Sequence, residues 1–253
     1  MIVGMTSPAD RLRAVRERIA AAARAAGRDP SSVTLLAVSK TWPGDAVREL
    51  AALGQTAFGE NRAQELTAKA AELADLPLEW HFIGQLQRNK AGAVARTGAV
   101  VHSVDRLPLA RALARVGEES GRPVGVFLQV DLGGAAGELA ERGGAAPDDV
   151  PALADAVADL PGLALRGLMA VAPRDEEPGP AFARLAALAD RVRADHPGAA
   201  ELSAGMSGDL EEAVAAGATL VRVGTALFGS RPLTSARVTP VTGVPAGSPE
   251  EVV

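Results

Sequence analysis

The sequence predicts an α/β fold, a single (β/α)8 TIM barrel with an extra N-terminal helix, and three observations lead there. Short aliphatic or β-branched runs alternate with alanine-rich amphipathic stretches along most of the 253 residues. Eight such runs occur, enough to close a barrel. Several are apolar at consecutive positions, as parallel strands covered on both faces should be. A doubly wound open sheet is the competing architecture.

Taken in order, Ser7-Pro8-Ala9-Asp10 opens a leading helix, with Ser7 as N-cap, Pro8 at the first helical position and Asp10 favourable to the dipole; Gly27 stops it. The strands are expected at 33–38, 57–59, 79–83, 100–104, 124–130, 164–171, 201–203 and 219–223. Helices follow at 45–53, 61–73, 87–95, 107–119, 148–160, 180–195 and 208–216, with a short one from Thr225. Residues 133–147, rich in Gly and Ala, read as a loop. Residues 232–253 carry four prolines and almost no periodicity, and read as a disordered tail behind one domain, 1–231.

With 47% hydrophobic residues the chain can bury a large core. A net charge of -5 argues against the nucleic-acid backbone as a partner, and Trp42, Trp80 and the scattered phenylalanines make no base-stacking platform. Arg11, Arg13, Arg16 and Arg18 read as the solvated face of the first helix. Zero cysteines remove disulfides, thiol nucleophiles and thiolate metal sites. The N-terminus lacks the apolar centre of a signal peptide and no run is long enough to cross a bilayer, so a soluble, cytoplasmic protein is expected, without membrane partners.

A barrel of this kind places reactive groups at the C-terminal ends of its strands, and phosphate commonly binds after strands seven and eight. Those ends carry Ser39-Lys40, Gly59-Glu60-Asn61, His81 to Gly84, Ser103, Gln129 with Asp131, Met169, Ser203 to Ser207, and Arg222 to Thr225. Lys40 is one of only three lysines, with Lys69 and Lys90, in a chain that otherwise writes positive charge as arginine. A guanidinium stays protonated and forms no imine, whereas a partly desolvated lysine can lose its proton and attack an aldehyde. Ser203 to Asp209 supplies hydroxyls, flexible backbone and a helix start suited to a phosphate dianion, and Gly224-Thr225 repeats the device. Taken singly, a lysine snorkelling at a strand end and small residues that merely cap helices explain each feature as well. An aldehyde-bearing phosphate ester held by Lys40 at one end and these loops at the other is pyridoxal 5'-phosphate (PLP).

The stretches LLAVSKTW, FGENRAQEL, WHFIGQLQRNK, HSVDR, GLMAVAP and LSAGMSGDLEEAVAAGATLVRVGTALFGSR closely resemble the pyridoxal phosphate homeostasis proteins, the YggS group, whose fold is that of the alanine racemase barrel domain. The resemblance runs from about residue 8 to 231. It implies that Lys40 carries PLP as an internal aldimine, a covalent Schiff base. It also implies that Ser203, Ser207, Gly224 and Thr225 surround the phosphate, that Asn61 lies near the ring, and that Arg222 faces the pyridine nitrogen. The chain departs from the family at Ala204, where methionine is usual, and around 132–144, where Gly and Ala replace a charged loop.

The resemblance implies a non-catalytic carrier that buffers PLP, in vitamin B6 homeostasis, or supplies it to apoenzymes. The alternative is a weak PLP-dependent amino-acid racemase. Alanine racemases use a tyrosine from a second domain, and this chain has no tyrosine. His81 and His102 are the candidate substitute bases; His196, before a proline, reads as structural. A third reading is an interaction module that keeps an old cofactor pocket. Without the domain that pairs racemase subunits, a monomer is expected, and no metal site or paired catalytic carboxylates are found.

Overall fold

The computed structural model describes residues 7–133 and 143–229. The expected tail, and most of the expected loop at 133–147, lie outside the described residues. The chain order is α1 Pro8–Ala25, β1 Thr34–Val38, α2 Gly44–Ala52, β2 Ala57–Glu60, α3 Ala63–Glu72, β3 Glu79–Phe82, α4 Ala91–Arg96, β4 Val100–Val104 and α5 Leu107–Ser120. It continues with β5 Val124–Gln129, α6 Val150–Ala158, β6 Leu163–Met169, α7 Pro178–Asp195, β7 Glu201–Ser203, α8 Leu210–Ala215, β8 Leu220–Val223 and α9 Thr225–Phe228.

All eight strands pair in parallel and in sequence order, and β8 returns to β1 through Thr34↔Leu220 to Ala37↔Val223, closing the barrel. The open sheet is thereby excluded. Strand and helix ends differ from the sequence expectations by a few residues. Strand five stops at Gln129, because Val130 pairs only as an isolated bridge to Ala145. The expected helix at 87–95 begins as a 3-10 turn, Arg88–Lys90, before α4 takes over. The helix expected from residue 61 starts at Ala63, since Asn61 and Arg62 are still turning out of β2.

Helix α1 forms for local reasons. The Ser7 side chain accepts from the Asp10 amide while the Asp10 carboxylate accepts from the Ser7 amide, a reciprocal cap worth about 1 kcal/mol. Its buried stripe of Leu12, Val15, Ile19, Ala22 and Ala23 packs on α8 and α9. Arg18 then pairs with Glu211 at 2.5 Å and donates to the Ser207 carbonyl at 2.7 Å.

The main apolar cluster lies between barrel and helices, and contains residues such as Leu35, Ala37, Val47, Phe58 and Leu66. Two small clusters fill the barrel itself: Leu36, Ala57 and Leu220 with Ile83, and Val100, Phe127 and Met169. Alternation along each strand sorts these sets, because successive side chains point to opposite faces. Polar groups also enter the interior. At its lower end Arg166 bridges Glu79 (3.0 Å) and Glu201 (2.6 Å), and above them lie buried His81, His102, Ser203 and Arg222.

Candidate functional site

Lys40 is the second residue past β1, and its side chain is exposed at the rim of a cavity of about 760 Å³. The turn that carries it is braced from several sides. Trp42 donates its amide to the Ser39 carbonyl at 3.0 Å, and its ring stacks on Phe228 of α9 with centroids 5.6 Å apart. Thr41 has φ 68°, a left-handed conformation that costs a side-chain-bearing residue about 1–2 kcal/mol. The Glu65 carboxylate accepts the Thr41 amide at 2.7 Å and helps hold it there.

Directly behind this turn is a buried ion pair. Lys69 on α3 donates to Glu60 at 2.6 Å and to the Ser39 carbonyl at 2.9 Å, and the Ser39 hydroxyl donates to the same Glu60 oxygen at 2.6 Å. The Glu60 side chain is fully buried, and burial pushes its carboxyl above the usual range against the lowering pull of Lys69 and Ser39. Glu60 appears among the strand-end residues, but Lys69 was missed as part of the site. The scarcity of lysine that drew attention to Lys40 applies equally to Lys69.

Arg222 reaches the cavity from β8. Its Nη1 donates to the Ser203 carbonyl (2.7 Å) and hydroxyl (2.8 Å), and Nη2 to the Ala170 carbonyl (2.8 Å). Every one of these partners is neutral. Two of the five guanidinium N–H groups, on Nε and Nη2, find no acceptor among the described residues. Burial pulls the Arg222 pKa down to about 10, so it remains a cation at neutral pH.

Asn61 lines the same cavity from the turn after β2. Its backbone is pressed against Gly84, where an added Cβ would come within 2.1 Å of the Asn61 carbonyl oxygen. Ile83, Gln129, Asp131, Met169, Met206 and Asp209 complete much of the wall.

Of the expected site residues, Lys40, Asn61 and Arg222 therefore share one cavity, whereas Ser203, Ser207, Gly224 and Thr225 are not among its lining. Ser203 is fully buried, bonded to Arg222 and to His102. Ser207 lies in the loop before α8, shaped by Gly205 at φ +87° and by the Met206 amide donating to Asp209 at 2.5 Å. Gly224 and Thr225 open α9. The amides of Ser207, Gly208, Gly224 and Thr225 find no acceptor among the described residues, leaving donors at the neighbouring ends of β7 and β8. Ala204 is fully buried in the main core, so the departure from methionine falls on packing.

The two candidate bases require correction. His81 and His102 lie below the cavity, 1% and 0% exposed, and their rings bond to each other at 2.8 Å. Neither lines the cavity, because inward-facing positions low on β3 and β4 end in the barrel interior. His196 is half-buried at the end of α7 and pairs with exposed Asp155 at 2.8 Å. Among the described residues no metal-binding cluster occurs, and no helix is long and apolar enough to cross a membrane.

Residues 11–232 match the family model described as "Alanine racemase, N-terminal domain". A "Pyridoxal phosphate homeostasis protein" of Pseudomonas aeruginosa is 50% identical over 227 residues, which span 90% of this chain and 97% of that relative. The protein of the same name from Escherichia coli is 42% identical over 233 residues, 90% and 98% of the two chains. Among solved structures, PipY of Synechococcus elongatus is 41% identical, aligned over 88% of this chain and 100% of its own. Its TM-score is 0.79 for the form without PLP and 0.77 for the form with PLP bound. On its barrel, and on its likeness over nearly the full length of these relatives, the chain belongs to the pyridoxal phosphate homeostasis protein family.

Proposed function

We propose that this chain binds pyridoxal 5'-phosphate and serves in its homeostasis, holding the cofactor on Lys40 and releasing it to apoenzymes. One observation carries the reading. An exposed primary amine and a buried guanidinium that has no carboxylate partner among the described residues face the same cavity at the C-terminal mouth of the barrel.

The residues present suit such a ligand. When bound, the cofactor supplies an aldehyde for amine attachment, a phosphate dianion and a pyridine nitrogen. Lys40 is the amine, and its braced turn keeps the side chain at the rim with no ion pair among the described residues. Arg222 offers two free N–H donors and no proton-accepting group, so it can bond a nitrogen lone pair but cannot take its place as an acid-base partner. The free amides around Ser207, Gly208, Gly224 and Thr225, with the Ser207 and Thr225 hydroxyls, form the anion-binding part. Asn61 orients the ring from the side, and Ser203 supports this set through Arg222.

The carrier reading is preferred to a weak racemase because no tyrosine, histidine or cysteine lines the cavity among the described residues. The chain is taken to act as a cytoplasmic monomer. Visible absorbance of the purified protein after PLP addition, borohydride reduction and peptide mass mapping test the assignment. The label is expected on Lys40 and absent in Lys40→Ala, with transfer to an apoenzyme and no turnover of D- or L-alanine. A label on Lys69 or Lys90, or uptake unaffected by Lys40→Ala, refutes it.

A further inference from the structure

A line of polar side chains crosses the inside of the barrel from the lower face to the cavity. Glu79 Oε1 lies 3.5 Å from His81 Nε2, and His81 Nδ1 lies 2.8 Å from His102 Nε2. His102 Nδ1 is 3.0 Å from the Ser203 hydroxyl, which accepts from Arg222 at 2.8 Å. Four strands contribute, β3, β4, β7 and β8. Only Glu79 reaches solvent appreciably, its side chain 49% exposed.

The two ends of this line differ in kind. Arg222 can only donate, and the Glu79 carboxylate can only accept. Its pKa is held at about 2, first by the His81 ring and further by Arg166. His102, stacked on Phe127 with ring centroids 4.3 Å apart, is kept neutral first by burial and further by the neighbouring positive charges of Arg222 and Arg166. It therefore holds one proton, on one of two nitrogens.

Only one ordering of protons satisfies the interior groups together. Ser203 accepts from Arg222 and donates its own hydrogen to His102 Nδ1; His102 donates from Nε2 to His81 Nδ1; His81 keeps its remaining proton on Nε2, toward Glu79. In the reverse ordering the Ser203 oxygen receives two donors while its own hydrogen has no acceptor among the described residues, and a His81 lone pair faces a carboxylate. Buried polar groups left unpaired in this way cost about 1–3 kcal/mol each. At 3.5 Å the Glu79 contact falls short of a well-formed hydrogen bond, and His81 Nε2 has no other partner among the described residues, so the attraction there is that of the carboxylate charge for the Nε2–H dipole.

We propose that Glu79, His81, His102 and Ser203 are positioning residues forming a one-directional relay, polarised by Glu79, that fixes the Ser203 hydroxyl and so holds the Arg222 guanidinium toward the cavity. The relay is a property of the free chain. Only its consequence for ligand release rests on the PLP reading.

The test uses the full chain labelled with 15N-histidine, read by long-range 1H–15N correlation. The chain has three histidines, and His196, outside the barrel interior and paired with Asp155, serves as the internal reference. Wild-type His102 is expected as the single Nε2–H tautomer. An Nδ1–H tautomer or an imidazolium at His102 overturns the relay. Glu79→Gln removes the polarising charge at the accessible end, and an Nδ1–H population is then expected at His102. Lost stability with an unchanged tautomer assigns Glu79 a merely structural role and overturns the proposal.

Ser203→Ala is expected to speed hydrogen exchange at the Arg222 guanidinium and release of bound PLP by about 2- to 10-fold, the range for one net hydrogen bond. Ser203→Thr, which keeps the hydroxyl, is expected to restore both. Unchanged exchange and release in Ser203→Ala overturn the link to Arg222. If wild-type chain takes up no PLP, the functional reading fails, while the tautomer and the Arg222 exchange still decide the relay.

Discussion

Replacing Lys69 by methionine removes the cation behind the Lys40 turn while keeping a stem of similar shape. Glu60, fully buried, is then left with only the Ser39 hydroxyl. Breaking a buried pair from one side typically costs about 3–5 kcal/mol. Glu60 has an escape, because it can take up a proton. Protonating a carboxyl of ordinary pKa 4.5 at pH 7 requires about 3.4 kcal/mol, at about 1.4 kcal/mol per pH unit, which bounds the electrostatic loss. At pH 5 the same step requires only about 0.7 kcal/mol.

The sign follows from proton counting. Burial raises the Glu60 carboxyl in the folded state, so the folded chain binds more protons than the unfolded one above pH 4.5, and stability falls as pH rises through that window. Removing Lys69 deepens the fall. Lys69→Met is therefore expected to lose about 3 kcal/mol at pH 7 and about 1 kcal/mol at pH 5, relative to wild type at the same pH. Urea unfolding followed by circular dichroism gives both values. Combining Lys69→Met with Glu60→Gln should recover most of the loss at pH 7. Equal destabilisation at both pH values, or no recovery in the double variant, would refute the account of a buried charge.

Two further outcomes follow from the same geometry. Gly84→Ala forces a methyl group to within 2.1 Å of the Asn61 carbonyl oxygen, a backbone atom that cannot swing aside; a loss of about 2 kcal/mol in thermal or urea unfolding is expected, with displaced resonances at Asn61. Glu79, whose carboxyl is held at about 2, contributes stability present above pH 4.5 and lost as the pH falls toward 2. The full shift corresponds to about 3 kcal/mol, reduced by solvent screening at a half-exposed side chain to about 1 kcal/mol, so the acid limb of a stability profile should flatten by that amount in Glu79→Gln.

The fold was legible because its signals are local. Strand runs, alanine-rich helices and the Ser7 cap each depend on neighbours in sequence, and all eight strands occur where the periodicity places them. Lys40, Asn61 and Arg222 were legible for a related reason, since strand ends in such a barrel converge on one mouth. Contacts across the interior were not. His81 pairs in register with Val100, which puts His102 one inward position further along β4. Their rings meet because strands in a closed barrel are tilted and staggered, a relation that spacing along the chain does not express. Ser203 illustrates the same limit: its place at the head of the glycine-bearing loop after β7 suggested phosphate, and the register of β7 and β8 brings its hydroxyl to Arg222.

Closure of the sheet by β1 and β8 has a consequence for how the molecule is made. On the ribosome the segment bearing Lys40 emerges early, but β8, one of the two strands that flank β1, is among the last described parts to be translated, and it carries Arg222. Such long-separation pairing is a slow event in folding. The Lys40 amine is thus exposed on a nascent chain long before the opposing guanidinium exists, and the cavity the two share can close only once β8 has been made.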